Sequence, residues 1–398
     1  MKKINIRQLF VSYWRPALII KIGVIIAAGL MLYRLGSLTG GLSAGEQLVG
    51  RMTLGWHGLY ADPFYLPLKI VRSVIFFGFN HHGQTIIRLA NVIVGLITIG
   101  AFIGLIKKWH GNRIALLAGV LFATTTWVLQ VSRIASYDVV YLAALPLLLL
   151  SQALIHKSTK PGRYIYVAVL VWGSLLYVPG MVWFIGLALF WERRNILAAW
   201  RAQRLWWHKA LLGAASLWWL PLLLIHLLRS SSNAATWLGL PSKLADAPAI
   251  LHATLAVPYQ LFVRGPLDPT LWLSRLPLLD IGSLALLIVG AFFYLRHFRS
   301  TRTQILASYA VLGAVLIGLG GAVSLSLVVP LLFIAAATGI AVLLHDWLKT
   351  FPVNPIARNF GVVLIALLVL ASGYYNLDRY FVAWPNSTQT QAVFRLKP

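Results

Sequence analysis

Residues 84–106, QTIIRLANVIVGLITIGAFIGLI, decide the fold. One charge, Arg88, interrupts these positions, and it stands near their start. As a helix rising 1.5 Å per residue the stretch covers about 35 Å, enough to cross a hydrocarbon core of about 30 Å. A basic turn, Lys107-Lys108-Trp-His-Gly111, follows it, as expected where a span meets a membrane surface.

The same pattern extends through the chain. Of 398 residues, 59% are apolar or aromatic and 11% are charged, against about 25% charged in ordinary globular proteins. Mean hydropathy is +0.79. A water-soluble globular domain is excluded. Apolar runs recur near 17–35, 84–106, 114–132, 139–155, 164–178, 180–191, 208–228, 281–295, 303–320, 324–344 and 359–374. They predict an all-α, polytopic integral membrane protein of about eleven transmembrane helices. Pro179-Gly180 divides 163–194 into two short helices rather than one kinked crossing.

With the N-terminus inside, most basic residues fall on the inner side, among them Lys2, Lys3, Lys107, Lys108, Lys157, Lys160, Arg193, Arg194, Arg296 and Arg299. That bias is the positive-inside rule, and it puts the C-terminus outside. A net charge of +25 would suggest nucleic acid in a soluble chain; here its distribution fits a bilayer instead, and no nucleic-acid partner is expected. Lys2-Lys3 and the long run behind them read as an uncleaved anchor. No repeat or separate soluble domain is visible, so residues 1–398 read as one transmembrane domain with exterior loops at about 36–83 and 229–280. Within the first loop, 68–79 (LKIVRSVIFFGF) reads as a helix lying in the interface. Cysteine is absent, which removes disulfides, thiolate metal sites and thiol nucleophiles. Lys-rich inner ends and the lack of Cys suit an inner or plasma membrane.

Of the nine carboxylates, only Glu192 and Asp346 fall inside. Glu46 lies in Gly41-Leu-Ser-Ala-Gly-Glu-Gln47, just beyond the first span. Asp138 ends Ser132-Arg-Ile-Ala-Ser-Tyr-Asp138, a very short turn between the third and fourth spans. An acid held against a membrane bundle is costly unless paired or functional. Arg133 is the nearest candidate partner for Asp138, and an N-cap of the fourth span is an alternative role. Asp62-Pro63 reads as a turn before the interfacial helix, and Asp280 as an N-cap. Asp246 and Asp268 read as solvated or capping residues. His81-His82 invites a metal reading with Glu46 or Asp62 as third ligand, but adjacent side chains diverge, so no metal site is expected. Gly318-Leu-Gly-Gly321 reads as a turn or packing site, because no Lys-Ser/Thr follows as in a phosphate loop.

The ordered set resembles the GT-C superfamily of glycosyltransferases, in its protein mannosyltransferase and aminoarabinose-transferase type. Its members are an inner-ended first span, an exterior acidic motif, a Pro-containing interfacial segment, Gly83-Gln-Thr-Ile-Ile-Arg88, a basic turn and Ser132-Arg133-Ile-Ala-Ser-Tyr-Asp138. The likeness is strongest over residues 17–195, and Tyr380-Phe381 after the last span adds to it. It implies an enzyme that moves a sugar from a polyprenyl-phosphate donor to a glycan, lipid or protein acceptor at the exterior face. Such enzymes carry an Asp-Glu pair in the first loop; here Gly45 precedes Glu46. Asp138 and Arg133 match the family's second acid and the basic residue before it, and Arg88 matches a family position.

The chemistry needs a carboxylate to accept the acceptor's proton, with Glu46 and Asp138 as catalytic candidates. It also needs cations opposite the departing phosphate. Arg133, Arg51, Lys69, Arg88, Arg264 and Arg275 are candidates, with Asp62 as a further substrate contact; exterior cations otherwise snorkel to headgroups. No cofactor beyond the lipid-linked sugar is required. Two rivals stand beside this reading. A lipid-linked sugar transporter or flippase would place acids at midspan and show repeats, and neither is visible. A noncatalytic member of the fold would account for Gly45.

Overall fold

The computed structural model describes residues 21–51, 56–79, 83–156, 161–201, 205–273 and 276–395. The side chains of 51, 56–57 and 161–163, together with His81-His82, Arg275 and residues 17–20, lie outside the described set. The interpretations placed on Arg51, Arg275 and the histidine pair therefore lie outside it too.

The regular elements among the described residues are helices. A first helix, α1 (Lys21–Leu32), leads to three short ones, α2 (Ala44–Arg51), α3 (Trp56–Ala61) and α4 (Leu66–Gly78). Then come α5 (Gln84–His110), α6 (Asn112–Thr124), α7 (Thr126–Arg133) and α8 (Asp138–His156). The middle holds α9 (Pro161–Leu175), α10 (Met181–Arg201), α11 (Trp206–Leu217), α12 (Leu220–Arg229), α13 (Ser231–Trp237) and α14 (Ala247–Phe262). The chain closes with α15 (Ile281–Arg296), α16 (Thr301–Gly318), α17 (Val329–Thr350), α18 (Pro355–Asp378) and α19 (Thr388–Val393).

By length and apolarity six helical stretches qualify as spans: Gln84–His110, Asp138–His156, Trp206–Arg229, Thr301–Gly318, Leu325–Thr350 and Pro355–Ala383. The bent pair α6 and α7 makes a seventh, and Lys21–Leu32, Tyr164–Leu175 and Ile281–Arg296 are shorter apolar helices. This is a multi-pass membrane protein. Burial grades across it. The apolar window of α8 is 78% buried and that of Leu325–Thr350 72%, against 17% for Trp206–Arg229. The sequence explains the order, because Asp138–Leu150 is apolar on every side, as a central helix must be. Beside it α15 and α17 cross at two glycines. A Cβ on Gly290 would stand 1.8 Å from the carbonyl oxygen of Ala335, and one on Gly339 2.0 Å from that of Leu286. Small residues allow this close backbone approach.

Three elements differ from the sequence reading. The predicted span 114–132 is broken: α6 and α7 meet at 62° around Thr125, which is extended. Three threonines make the break tolerable. Thr124 and Thr125 hydroxyls donate to the carbonyls of Val120 and Leu121 at 2.8 and 2.7 Å. The Thr126 amide and hydroxyl donate to Asn376 Oδ1 at 3.2 and 3.0 Å. Freed backbone groups inside a membrane protein need such substitutes. The helix predicted at 180–191 continues to Arg201, and the one at 359–374 runs on to Asp378 and a π turn at Arg379–Ala383. Polar side chains do not end a helix when its last turns leave the bilayer.

A helix, α4, forms where the interfacial one is expected, but its two cations are turned inward. Val74 and Phe77 are 66% and 97% exposed, whereas Lys69 and Arg72 are buried. Its cations are buried beside Leu68 and Ile75 and point into the protein, so neither snorkels.

Candidate functional site

The breaks at both ends of α7 shape one end of the bundle. Ile134 leaves α7 in an extended conformation, and Ala135–Tyr137 turn the chain into α8. A cavity of about 470 Å³ opens there, lined by Ser43, Gly45, Glu46, Leu48, Val49, residues 134–138, Asp268, Thr270 and Leu271. It brings together Glu46 and Asp138, the two acids singled out from the sequence, and adds Asp268.

Glu46 is 1% exposed, and its carboxylate is saturated. Arg88 Nε donates to Oε1 at 2.7 Å and Nη2 to Oε2 at 2.8 Å, a bidentate pair. The amides of Ala135 and Ser43 each donate to one of the same oxygens at 3.1 Å. The Glu46 amide donates to Ser43 Oγ at 3.3 Å, closing a capping box at the start of α2. Arg88 is satisfied as well: it donates to the carbonyls of Leu35 and Gly41, both at 2.9 Å, and to Thr39 Oγ1 at 3.1 Å. Phe394, from the end of α19, lies 5.8 Å from its guanidinium. Arg88 thus ties α5 to the first loop.

Asp138 is half-buried at the head of α8. Its Oδ1 accepts from Ser324 Oγ, and its amide donates to Ser136 Oγ at 3.3 Å. Among the described residues the carboxylate takes no bond from the amides of its own helix, so the N-cap role is not what holds it. Nor does Arg133 pair with it among the described residues. The expected ion pair fails because the chain turns at Ile134, sending Arg133 the other way. Arg133 donates through Nη2 to the carbonyl of Tyr33 and lies 5.0 Å from the rings of both Tyr380 and Phe381. Its Nε and Nη1 are buried with no partner.

An aromatic and cationic wall adjoins Asp138. Tyr65 stacks on Tyr137 at 4.2 Å, and its hydroxyl lies 3.2 Å from that of Tyr141. Tyr65 caps α4 in the left-handed region (φ 58°), a strained place for a bulky residue. Its amide, donating to the carbonyl of Tyr177 at 2.8 Å, helps hold it there. Burial pushes its phenol up to about 12. Tyr137 is raised too, by burial and against the nearby Arg72. Arg72, 5.1 Å from the Tyr137 ring, donates to Asn91 Oδ1 at 3.0 Å and to the carbonyl of Ser136 at 3.2 Å. Burial lowers its guanidinium to about 10. Asn91 Nδ2 donates to the carbonyls of Ile134 and Ser136 at 2.7 and 2.8 Å, so α4 and α5 both hold the turn before Asp138.

The remaining candidates are placed differently. Asp62 turns the chain, accepting from the Phe64 amide at 3.1 Å, and pairs with Lys69 at 2.6 Å. Arg264 is exposed and does not line the cavity. Asp280 caps α15, as read from the sequence, and also binds α18 through Ser372 and Asn376 at 2.6 and 3.0 Å. Burial favours its protonated form, but the bonds from Ser283, Ser372 and Asn376 outweigh that and hold it below the usual carboxylate range. Three participants escaped the sequence reading. Asp268, read from the sequence as a solvated or capping residue, accepts from the Thr270 amide at 2.9 Å and lines the cavity. Ser324 and Asn91 gave no local signal. No group of three or more His, Asp or Glu able to hold a metal occurs among the described residues.

No family model and no curated protein sequence matches the chain. Solved structures do. ArnT from Cupriavidus metallidurans, an aminoarabinose transferase in its apo state, matches at TM-score 0.57 and 13% identity over 94% of this chain and 77% of that one. The oligosaccharyltransferase of Archaeoglobus fulgidus, tethered to an acceptor peptide, matches at 0.54 and 15% over 98% of this chain and 56% of that one. The same archaeal enzyme with an inhibitory peptide and a dolichol-phosphate matches at 0.55 and 15%, with 98% and 57% covered. This chain spans about three-quarters of the first protein and little more than half of the second. Both are GT-C glycosyltransferases, and the chain has the GT-C fold.

Proposed function

We propose that the protein is a membrane glycosyltransferase that moves a sugar from a polyprenyl-phosphate carrier to an acceptor at the Asp138 end of the bundle, in an inner or plasma membrane. One observation carries this reading: of the three acids lining a single cavity, Glu46 is saturated while Asp138 has accepting capacity to spare. Asp138 is the base. As the acceptor hydroxyl attacks C1, its proton passes to Asp138, the C1–O bond to phosphate breaks, and polyprenyl phosphate leaves with the electron pair. Glu46 fixes the loop that floors the cavity rather than taking the proton. Arg133, turned away from Asp138 and packed against Tyr380 and Phe381, braces that side of the bundle rather than facing the phosphate. Lys69 and Asp62 pair with each other outside the cavity lining, and Arg88 acts through Glu46.

The dolichol-phosphate in the archaeal neighbour supports the donor class, and its acceptor peptide shows what one such fold acts on. The test is transfer of labelled sugar from polyprenyl-phosphate donors by purified protein. Wild type should give product and Asp138→Asn should not; equal product from both refutes the assignment. Translocation of the donor without transfer favours the flippase reading, and a folded, inert wild type the noncatalytic one.

A further inference from the structure

A second cavity, of about 220 Å³, lies at the other end of α8. Its lining includes Trp109, Gln152, His156, Glu192 and Arg302. Gln152 stands fourteen residues beyond Asp138 on the same helix, about 21 Å along its axis. The two cavities therefore face opposite membrane surfaces, and nothing in the proposed transfer uses this one.

Its charges are arranged to hold something. Gln152 is 4% exposed; its Nε2 donates to Tyr309 Oη at 2.9 Å, while its Oε1 is buried without a partner. Glu192 is 6% exposed and accepts from Asn195 Nδ2 at 2.6 Å through Oε2, which lies 4.0 Å from His156 Nδ1. No described residue donates to its other oxygen. Arg302 is half-buried, lies 4.6 Å from the Trp109 ring, and forms no ion pair among the described residues. A nearly buried acid whose nearest cation is His156 at 4.0 Å and a guanidinium without an ion pair, facing one cavity, are expensive, and a ligand carrying both charges relieves both.

We infer that this cavity binds the headgroup of an ethanolamine phospholipid from the leaflet opposite the transfer site. Arg302 pairs with the phosphate diester. The primary ammonium donates to Glu192 and Gln152 Oε1 with its third face toward Trp109, where a cation is attracted to the ring. Leu149, Ala153 and Ile305 give the glycerol an apolar margin toward the acyl region. The ligand's net charge of zero matches one acid and one guanidinium. A glycerol headgroup leaves Glu192 and Gln152 without a donor, and a choline headgroup has no N–H to give.

The test uses the full chain in detergent, with titration calorimetry and thermal shift as readouts. Short-chain ethanolamine, glycerol and choline phospholipids and soluble glycerophosphoethanolamine are titrated separately. The ethanolamine lipid should bind at least about tenfold tighter than the glycerol and choline lipids, the worth of one charge-assisted contact. Arg302→Gln, Glu192→Gln and Gln152→Met should each weaken it about tenfold, and Arg302→Lys should restore most of the affinity. Indifference to headgroup, or wild-type affinity in all three variants, overturns the site. Equal affinity for the soluble diester overturns its assignment to a membrane lipid.

Discussion

Glu46 and Asp138 line the same cavity, yet the protein treats them oppositely. Glu46 receives two bonds from Arg88 and two from backbone amides, so its oxygens have no capacity left. Asp138 receives one side-chain bond, from Ser324, and stays half open to the cavity. Residue type cannot separate a brace from a base; the count of donors around each carboxylate can. Substitutions that keep shape and remove charge should therefore split the two into an activity phenotype and a stability phenotype.

The largest effect expected is on transfer. Asp138→Asn should lower kcat by about 10²–10⁴ with Tm unchanged, as loss of a general base does. A fall in Tm matching that of a Glu46 variant would erase the contrast. Next comes the brace. Arg88→Met leaves Glu46 charged and buried and should cost about 3–5 kcal/mol, measured by denaturant unfolding in detergent. Glu46→Leu combined with Arg88→Met should recover most of that loss, because a buried pair replaced whole by apolar groups is often neutral. A double variant as unstable as the single one would mean the pair's geometry, not its charge balance, holds the loop.

The break between α6 and α7 belongs to the brace side of the comparison. Asn376→Leu strips Thr126 of two bonds and Asp280 of one, and should cost about 1–3 kcal/mol for each buried group left unsatisfied. Asp280 also gives a pH signature. Its folded pKa lies below the unfolded value of about 3.9, so its contribution is complete above that value. It is lost as pH falls through the folded pKa. Asp280→Asn should flatten the acid limb of stability against pH below about 4.

What could be read from the sequence was what a local stretch determines. Apolar runs located the helices, Asp62-Pro63 announced its turn, and Asp280 announced its cap. Separation along the chain hid the rest. Arg133 and Asp138 are five positions apart and do not meet, because Ile134 turns the chain between them. Ser324 reaches Asp138 from 186 residues away, and Asn376 reaches Thr126 across 250. The threonine run at 124–126 was the one readable hint of the broken span, since consecutive hydroxyls can replace backbone bonds that a break removes.

The smallest effect tests Gly45, the position where the resemblance to GT-C transferases implies an aspartate. Gly45 sits in the first turn of α2 on the cavity wall, and a Cβ built there meets nothing within 4 Å. An aspartate thus has room, gains helix propensity over glycine, and places negative charge at a helix N-terminus. Against this stands repulsion from the neighbouring Glu46, which Arg88 already neutralises. Gly45→Asp should therefore stabilise the protein by a few tenths of a kcal/mol, read as a small rise in Tm. A clear fall instead would mean that the Arg88 pair does not screen Glu46 from its neighbour, and that the saturated acid still projects charge into the cavity where Asp138 works.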